Sequence, residues 1–175
     1  LLSRKKVNGY RPMYILNHFL GPVRKDFDFI LVDTPPSIEF FTLNALIASD
    51  FIIIPSQCES FSMHGVGQME KAINYIRKKE ARGIDYRVLV TMYDAEKTAA
   101  RVVHENIMNR YKEKTFGTVI EMDDKISESQ IVGQPVFYYD PKSRVAGQYK
   151  QLAEELLTVP VTPAARENFR KQLHA

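Results

Sequence analysis

Apolar positions along this chain follow two alternating rhythms. Nearly continuous apolar runs occupy residues 28–32, 51–54, 86–91, 116–120 and 136–138, the pattern of strands buried on both faces. Between them apolar residues recur with the period of a helix that buries one stripe. Helices are therefore expected over residues 11–19, 37–48, 63–79, 99–111 and from 140 onward. The first carries Met13, Leu16 and Leu20 on one side. The second is apolar all round (Ile38, Phe40, Phe41, Leu43, Leu46, Ile47) and predicts a buried helix with Ser37 as N-cap. In the third, Val66, Met69, Ile73 and Ile76 form the stripe, while Lys71, Arg77, Lys78 and Lys79 face away. The fourth buries Val103, Ile107 and Tyr111, and the last Val145, Tyr149, Leu152 and Leu156. Pro55 should end the second strand, and Asp140 with Pro141 should open the last helix. Residues 121–133 read as a loop with a short helical turn. Strands alternating with helices predict an α/β fold, a mainly parallel doubly wound sheet with helices on both faces.

That architecture gives meaning to the ends of the strands. In open α/β sheets ligands bind beyond the carboxyl edge. The run 28–32 ends in Asp33, followed by Thr34, Pro35, Pro36 and Ser37. An aspartate at that edge suits Mg²⁺ beside a nucleotide phosphate, held directly or through water; the plainer alternative is a carboxylate that caps the next turn. Met92, Tyr93 and Asp94 follow the run 86–91 in the same way, and parallel pairing of the two strands would set Asp33 and Asp94 at one edge.

Composition narrows the picture without deciding it. The 175 residues suit one domain, able to bury roughly 70% of its unfolded surface. A formal charge of +3 does not announce a nucleic-acid binder, although a local basic patch is compatible with it. The single cysteine, Cys58, excludes an internal disulfide and reads as a buried thiol after a strand. No run approaches 18 apolar residues, so no membrane span is expected. His18, His64, His104 and His174 show no metal-ligand spacing. None of the eight glycines stands in a G-x-x-x-x-G-K-[ST] frame, so no phosphate-cradling P-loop is present.

Several motifs then occur in a fixed order: Asp33-Thr34-Pro35-Pro36-Ser37, Thr42-Leu43-Asn44-Ala45-Leu46, Ile54-Pro55-Ser56-Gln57-Cys58-Glu59, Thr91-Met92-Tyr93-Asp94, Ser127-Glu128-Ser129, Gly133-Gln134-Pro135-Val136 and Tyr139-Asp140-Pro141-Lys142-Ser143. From about residue 14 to 157 the chain resembles the ParA family of deviant-Walker P-loop ATPases, the ParA/MinD superfamily, and its chromosome and plasmid partition branch fits best. The resemblance implies ATP and Mg²⁺ as cofactors, with Asp33 as the Walker B aspartate that positions Mg²⁺ through a water. Thr34, Pro35 and Pro36 correspond to the switch II turn. Met92, Tyr93 and Asp94 approach the adenine. The family's Ile-Pro-Arg-Asn wall is replaced by Ile120-Glu121-Met122-Asp123, where Met122 could pack on a purine and Asp123 or Asp124 could accept from its amine. Lys97, Arg101, Lys125, Lys142 and Arg144 fall where the family carries DNA-contacting cations; Glu121, Asp123 and Asp124 nearby would weaken that patch.

The function so implied is a cytoplasmic, nucleoid-associated partition ATPase. It dimerises around ATP, binds non-specific DNA and is stimulated by a ParB-like partner, with no membrane attachment expected. The family's P-loop precedes the strand that carries Asp33. The chain is therefore expected to represent the carboxy-terminal part of such a protein, with 1–157 as ATPase domain and 158–175 as a tail, and not to hydrolyse ATP unaided. Two other readings stand beside it. One is a non-catalytic DNA- or partner-binding scaffold without a P-loop. The other is a MinD-like membrane-associated ATPase, for which the tail from Arg166 to His174 has three basic residues but few apolar ones.

Overall fold

The computed structural model describes residues 11–59, 61–81 and 83–159. In chain order these form α1 (Ile15–Leu20), α2 (Phe40–Ala48), β1 (Phe51–Gln57), α3 (Ser62–Glu80), β2 (Asp85–Thr91), α4 (Thr98–Tyr111), α5 (Asp124–Ile131), α6 (Val136–Tyr139) and α7 (Arg144–Leu156). Single 3-10 turns stand at Pro12–Tyr14, Arg24–Asp26 and Lys112–Lys114. The class is α/β: β1 and β2 pair in a parallel sheet and are linked through α3, as parallel neighbours require a long crossover. The described chain divides into two compact units, one of residues 11–52 and 68–85, the other of 53–67 and 86–159. Among the described residues no helix is long and apolar enough to cross a membrane. The expected tail lies almost wholly outside the described residues.

In the first unit α2 buries Ala45, Leu46, Ile47 and Ala48 together with Thr42 and Asn44. Asn44 is satisfied by its neighbours: Nδ2 donates to Phe40 O at 3.0 Å, and Oδ1 accepts from Leu16 N at 3.4 Å. The helix begins at Phe40, not at Ser37, and Glu39 stands at the N-cap without a side-chain bond. Phe40 and Phe41 are exposed, so the expected all-round burial holds only for the second half. The expected first strand is absent, since residues 28–32 join no ladder. Ile30, Leu31 and Val32 are exposed, Leu31 by 87%. A strand exists only where a neighbour offers its backbone groups, and no described strand lies against this run. The stripe of α3 is buried as expected at Ile73 and Ile76. Arg77, expected to face away, instead donates through Nε to Ile84 O at 2.6 Å and pairs with Asp85 at 3.8 Å.

The second unit is built on β2, whose Tyr86, Val88 and Val90 are completely buried. β1 continues through Pro55 to Gln57; proline lacks an N–H, but the open side of a two-stranded sheet tolerates it. Cys58 is buried as expected, and desolvation pushes its thiol up. The expected fourth strand, 116–120, is not continuous. It lies parallel to β2 through isolated bridges, Val88 with Thr115 and Tyr93 with Glu121. Phe116 N donates to Val88 O at 2.9 Å and Ile120 N to Val90 O at 3.0 Å. A step of two residues on β2 thus faces a step of four. The extra backbone bulges out, and its Gly117 and Thr118 amides bond the Glu155 carboxylate at 2.8 and 2.9 Å.

Residues 136–138, also expected as a strand, form the single helical turn α6. Tyr139 N donates to Pro135 O and Asp140 N to Val136 O, at 3.1 and 2.9 Å. α7 starts at Arg144 and not at Pro141, because Ser143 Oγ caps it by accepting from Ala146 N at 3.3 Å. Val145 and Leu152 of its stripe are buried. The short turn expected within 121–133 is α5, eight residues long and capped by Asp123.

Candidate nucleotide-binding site

Asp33, Thr34, Pro35 and Pro36 are all exposed. The turn they form is tied down from below. Thr42 of α2, 2% exposed, places Oγ1 2.5 Å from Ser37 O and 3.3 Å from Pro35 O. A buried hydroxyl needs such a partner, and here it fixes the carbonyl ends of the turn to the helix. Two prolines restrict the backbone between them. The result is a stiff turn behind an accessible carboxylate. Thr42 is a polar residue inside a mostly apolar helix, a signal readable in the sequence. Mg²⁺ commonly takes one or two carboxylates and fills its octahedron with waters and phosphate oxygens. An exposed carboxylate such as that of Asp33 is compatible with that mode.

Met92, Tyr93 and Asp94 lie in the second unit just beyond β2. Met92 has φ 51°, a left-handed conformation unusual for a side chain of its kind. Tyr93 N donates to Ile120 O at 3.1 Å, and Met122 N donates to Tyr93 O at 2.9 Å. The structure therefore brings the two expected base-contacting segments together. Met92 and Met122 are both about half exposed there. The Tyr93 ring lies 5.0 Å from that of His104. Asp123 is engaged as the cap of α5, accepting from Lys125 N at 2.9 Å, while Asp124 is exposed.

Asp94 closes a turn. Oδ1 accepts from Glu96 N at 3.0 Å, and Oδ2 lies 3.2 Å from Lys97 Nζ. The Glu96 amide first, and the Lys97 ammonium second, hold this carboxyl below the usual aspartate range. A folded-state value depressed below the unfolded one means that the turn is favoured above the ordinary aspartate pKa of about 3.9. The favourable contribution disappears as pH falls through the lowered value. Acidification through that window should lower the protection factor at Glu96, measured against the slower intrinsic exchange in acid, while the β2 amides keep their protection. An unchanged protection factor at Glu96 would show that the carboxylate does not hold the turn.

The five candidate DNA cations all belong to the second unit, and most are engaged. Lys97 pairs with Asp94. Arg101 donates to Ala95 O at 3.0 Å and to Thr98 Oγ1 at 3.1 Å. Lys125 lies 2.7 Å from Glu128, which also accepts from Tyr139 OH at 2.8 Å; the carboxylate holds the Lys125 ammonium above the usual lysine range. Lys142 is exposed. Arg144 pairs with Glu121 at 2.5 Å and donates to Met122 O at 3.2 Å. Gln148 and Glu155, which hold backbone from α7, carried no local sequence signal, since both read as ordinary solvent-facing helix residues.

A family model described as an AAA domain matches residues 3–86. The Bacillus subtilis sporulation initiation inhibitor protein Soj is 35% identical over 142 residues, covering 81% of this chain and 56% of Soj. The Myxococcus xanthus chromosome partitioning protein ParA is 32% identical over 165 residues, 91% of this chain and 58% of that protein. The chain belongs to the ParA/MinD family. It spans somewhat more than half the length of these relatives. The fold is P-loop NTPase-like: a Mycobacterium smegmatis structure described as cobyrinic acid a,c-diamide synthase, with bound ADP and magnesium, superposes with a TM-score of 0.66. That pair is 28% identical, over 83% of this chain and 53% of the other.

Proposed function

We propose that this chain is part of a ParA-type partition ATPase, with residues 1–157 belonging to the ATPase domain and 158–175 forming its tail. The observation that carries this reading is the likeness to a chromosome partitioning ParA across 91% of the chain, which includes the Asp33 turn. In this reading ATP is held between two subunits, the dimer binds non-specific DNA, and a ParB-like partner stimulates hydrolysis in the nucleoid-containing cytoplasm. Mg²⁺, when bound, neutralises phosphate charge. Asp33 positions it through a water. Thr34, Pro35 and Pro36 carry the phosphate-dependent movement as a stiff unit, and Met92, Tyr93, Asp94, Met122 and Asp123 border the base.

ATP hydrolysis by the full-length protein, with and without DNA and a ParB-like protein, tests the reading. Stimulated turnover is expected; DNA binding without nucleotide dependence and without turnover would favour the scaffold alternative. The DNA face draws on Lys97, Arg101, Lys125 and Lys142. Non-specific affinity comes from counterion release, so its logarithm falls with log salt by about 0.9 per phosphate contacted. Replacing Lys125 and Lys142 together by Ala should flatten that slope by about 1.8, equally for unrelated sequences. An unchanged slope in a protein that still dimerises would mark both lysines as ordinary surface charge.

A further inference from the structure

The segment 120–123 is gripped from two sides. On one side it exchanges backbone hydrogen bonds with Tyr93 at the end of β2. On the other, α7 reaches it with two side chains. Gln148 Oε1 accepts from Glu121 N at 3.0 Å. Arg144 Nη1 lies 2.5 Å from Glu121 Oε2, while Nη2 donates to Met122 O at 3.2 Å and stands 4.0 Å from Asp123 Oδ2. Residues four apart on a helix share one face, so Arg144 and Gln148 act as a paired grip. α7 is itself a firm base, capped by Ser143 and anchored by buried Val145 and Leu152.

An isolated surface ion pair contributes little. Here one planar guanidinium serves acceptors on three consecutive residues, so the ordering of a single side chain fixes the whole segment. Arg144 also differs from Lys97, Arg101 and Lys125, whose hydrogen-bond and ion-pair partners Asp94, Ala95, Thr98 and Glu128 lie within six residues in sequence. Its partners lie 21 to 23 residues away in sequence, at Glu121, Met122 and Asp123.

We propose that Arg144 and Gln148 are positioning residues that lock the 120–123 segment against the end of β2, and that Arg144 is not part of a DNA-binding face. Met122 and Met92 are then presented from a preformed edge instead of a mobile loop. The consequence for nucleotide rests on the ATPase reading; the grip itself does not.

The test uses the full-length protein with Arg144→Gln and Arg144→Lys. Hydrogen exchange in peptides covering Glu121 and Met122 should rise in Arg144→Gln by roughly three- to tenfold, the scale of a few charge-assisted hydrogen bonds at a partly exposed site. Peptides within β2 should not change, and Arg144→Lys should recover only part of the protection. ATP affinity should fall by a similar factor while affinity for inorganic triphosphate stays constant, and the salt slope of DNA binding should stay at the wild-type value. Unchanged exchange at Glu121 and Met122 overturns the grip. A salt slope flattened by about 0.9 with exchange unaltered assigns Arg144 to DNA instead. If the wild-type protein binds no ATP, the ATPase reading fails, and the exchange measurement still decides the grip.

Discussion

Asp33→Ala in the full-length protein is expected to lower Mg²⁺-dependent ATP turnover by about a hundredfold while leaving thermal stability within about 0.5 kcal/mol of wild type. The two halves of that expectation have separate grounds. The carboxylate stands at the head of an exposed turn, and the turn is held from elsewhere, by Thr42 Oγ1 on the Ser37 and Pro35 carbonyls. Removing Asp33 therefore opens no cavity and orphans none of those bonds. Phosphoryl transfer, in contrast, depends on where Mg²⁺ sits relative to the phosphates, and misplacing it forfeits several kcal/mol of charge stabilisation. Asp33→Asn separates charge from shape, since an amide keeps the size but binds a hard cation poorly. It should resemble Asp33→Ala in turnover. Wild-type turnover in both variants would refute the metal-positioning role. Loss of turnover together with a large drop in melting temperature would make Asp33 a turn-capping residue.

Elements with a long, clear apolar period were legible in the sequence; those decided by the presence of a pairing strand, by a competing local turn or by a distant side chain were not. α3 and β2 followed directly from periodicity, and Ile73, Ile76, Val88 and Val90 are buried where the pattern placed them. The family and α/β class were also readable, because short motifs in a fixed order survive changes between them. The run 28–32 was misread because apolarity signals a demand for burial, not the presence of a strand to pair with. Val136, Phe137 and Tyr138 carry strand-type side chains, yet local hydrogen bonds to Pro135 and Val136 carbonyls close a helical turn. The break at Gly117 and Thr118 was invisible, since its cause is a glutamate 37 to 38 residues further along. The candidate site divides in the same way. The structure brings Tyr93 beside Glu121 and Met122, while the grip of Arg144 and Gln148 depends on tertiary placement that no local pattern records.

Glu155→Ala is expected to destabilise the protein by about 2 kcal/mol, the largest loss anticipated for any single exposed-pattern residue of α7. One carboxylate there replaces the strand partner for two backbone amides, Gly117 N at 2.8 Å and Thr118 N at 2.9 Å. It also pairs with Arg87 Nη1 at 3.4 Å, and the Arg87 guanidinium lies 5.6 Å from the centre of the Phe116 ring. Truncation leaves the amides and the guanidinium without that acceptor. Water reaches Gly117, which is exposed, more readily than Thr118, so the loss stays well below that of a fully buried site. The chain has one evident escape: Thr118 N could take Val90 O and turn the bulge into a regular strand. That shift would displace Ile120 N, which holds Val90 O at 3.0 Å, and expose a side chain now 2% accessible. Losing the burial of an isoleucine costs about as much as the bonds regained, so the rearrangement does not rescue the variant. Glu155→Gln keeps one good acceptor and should fall between wild type and Glu155→Ala. Urea unfolding of the full-length protein checks the series, and a Glu155→Ala midpoint equal to that of wild type would show that the bulge is held by its own packing.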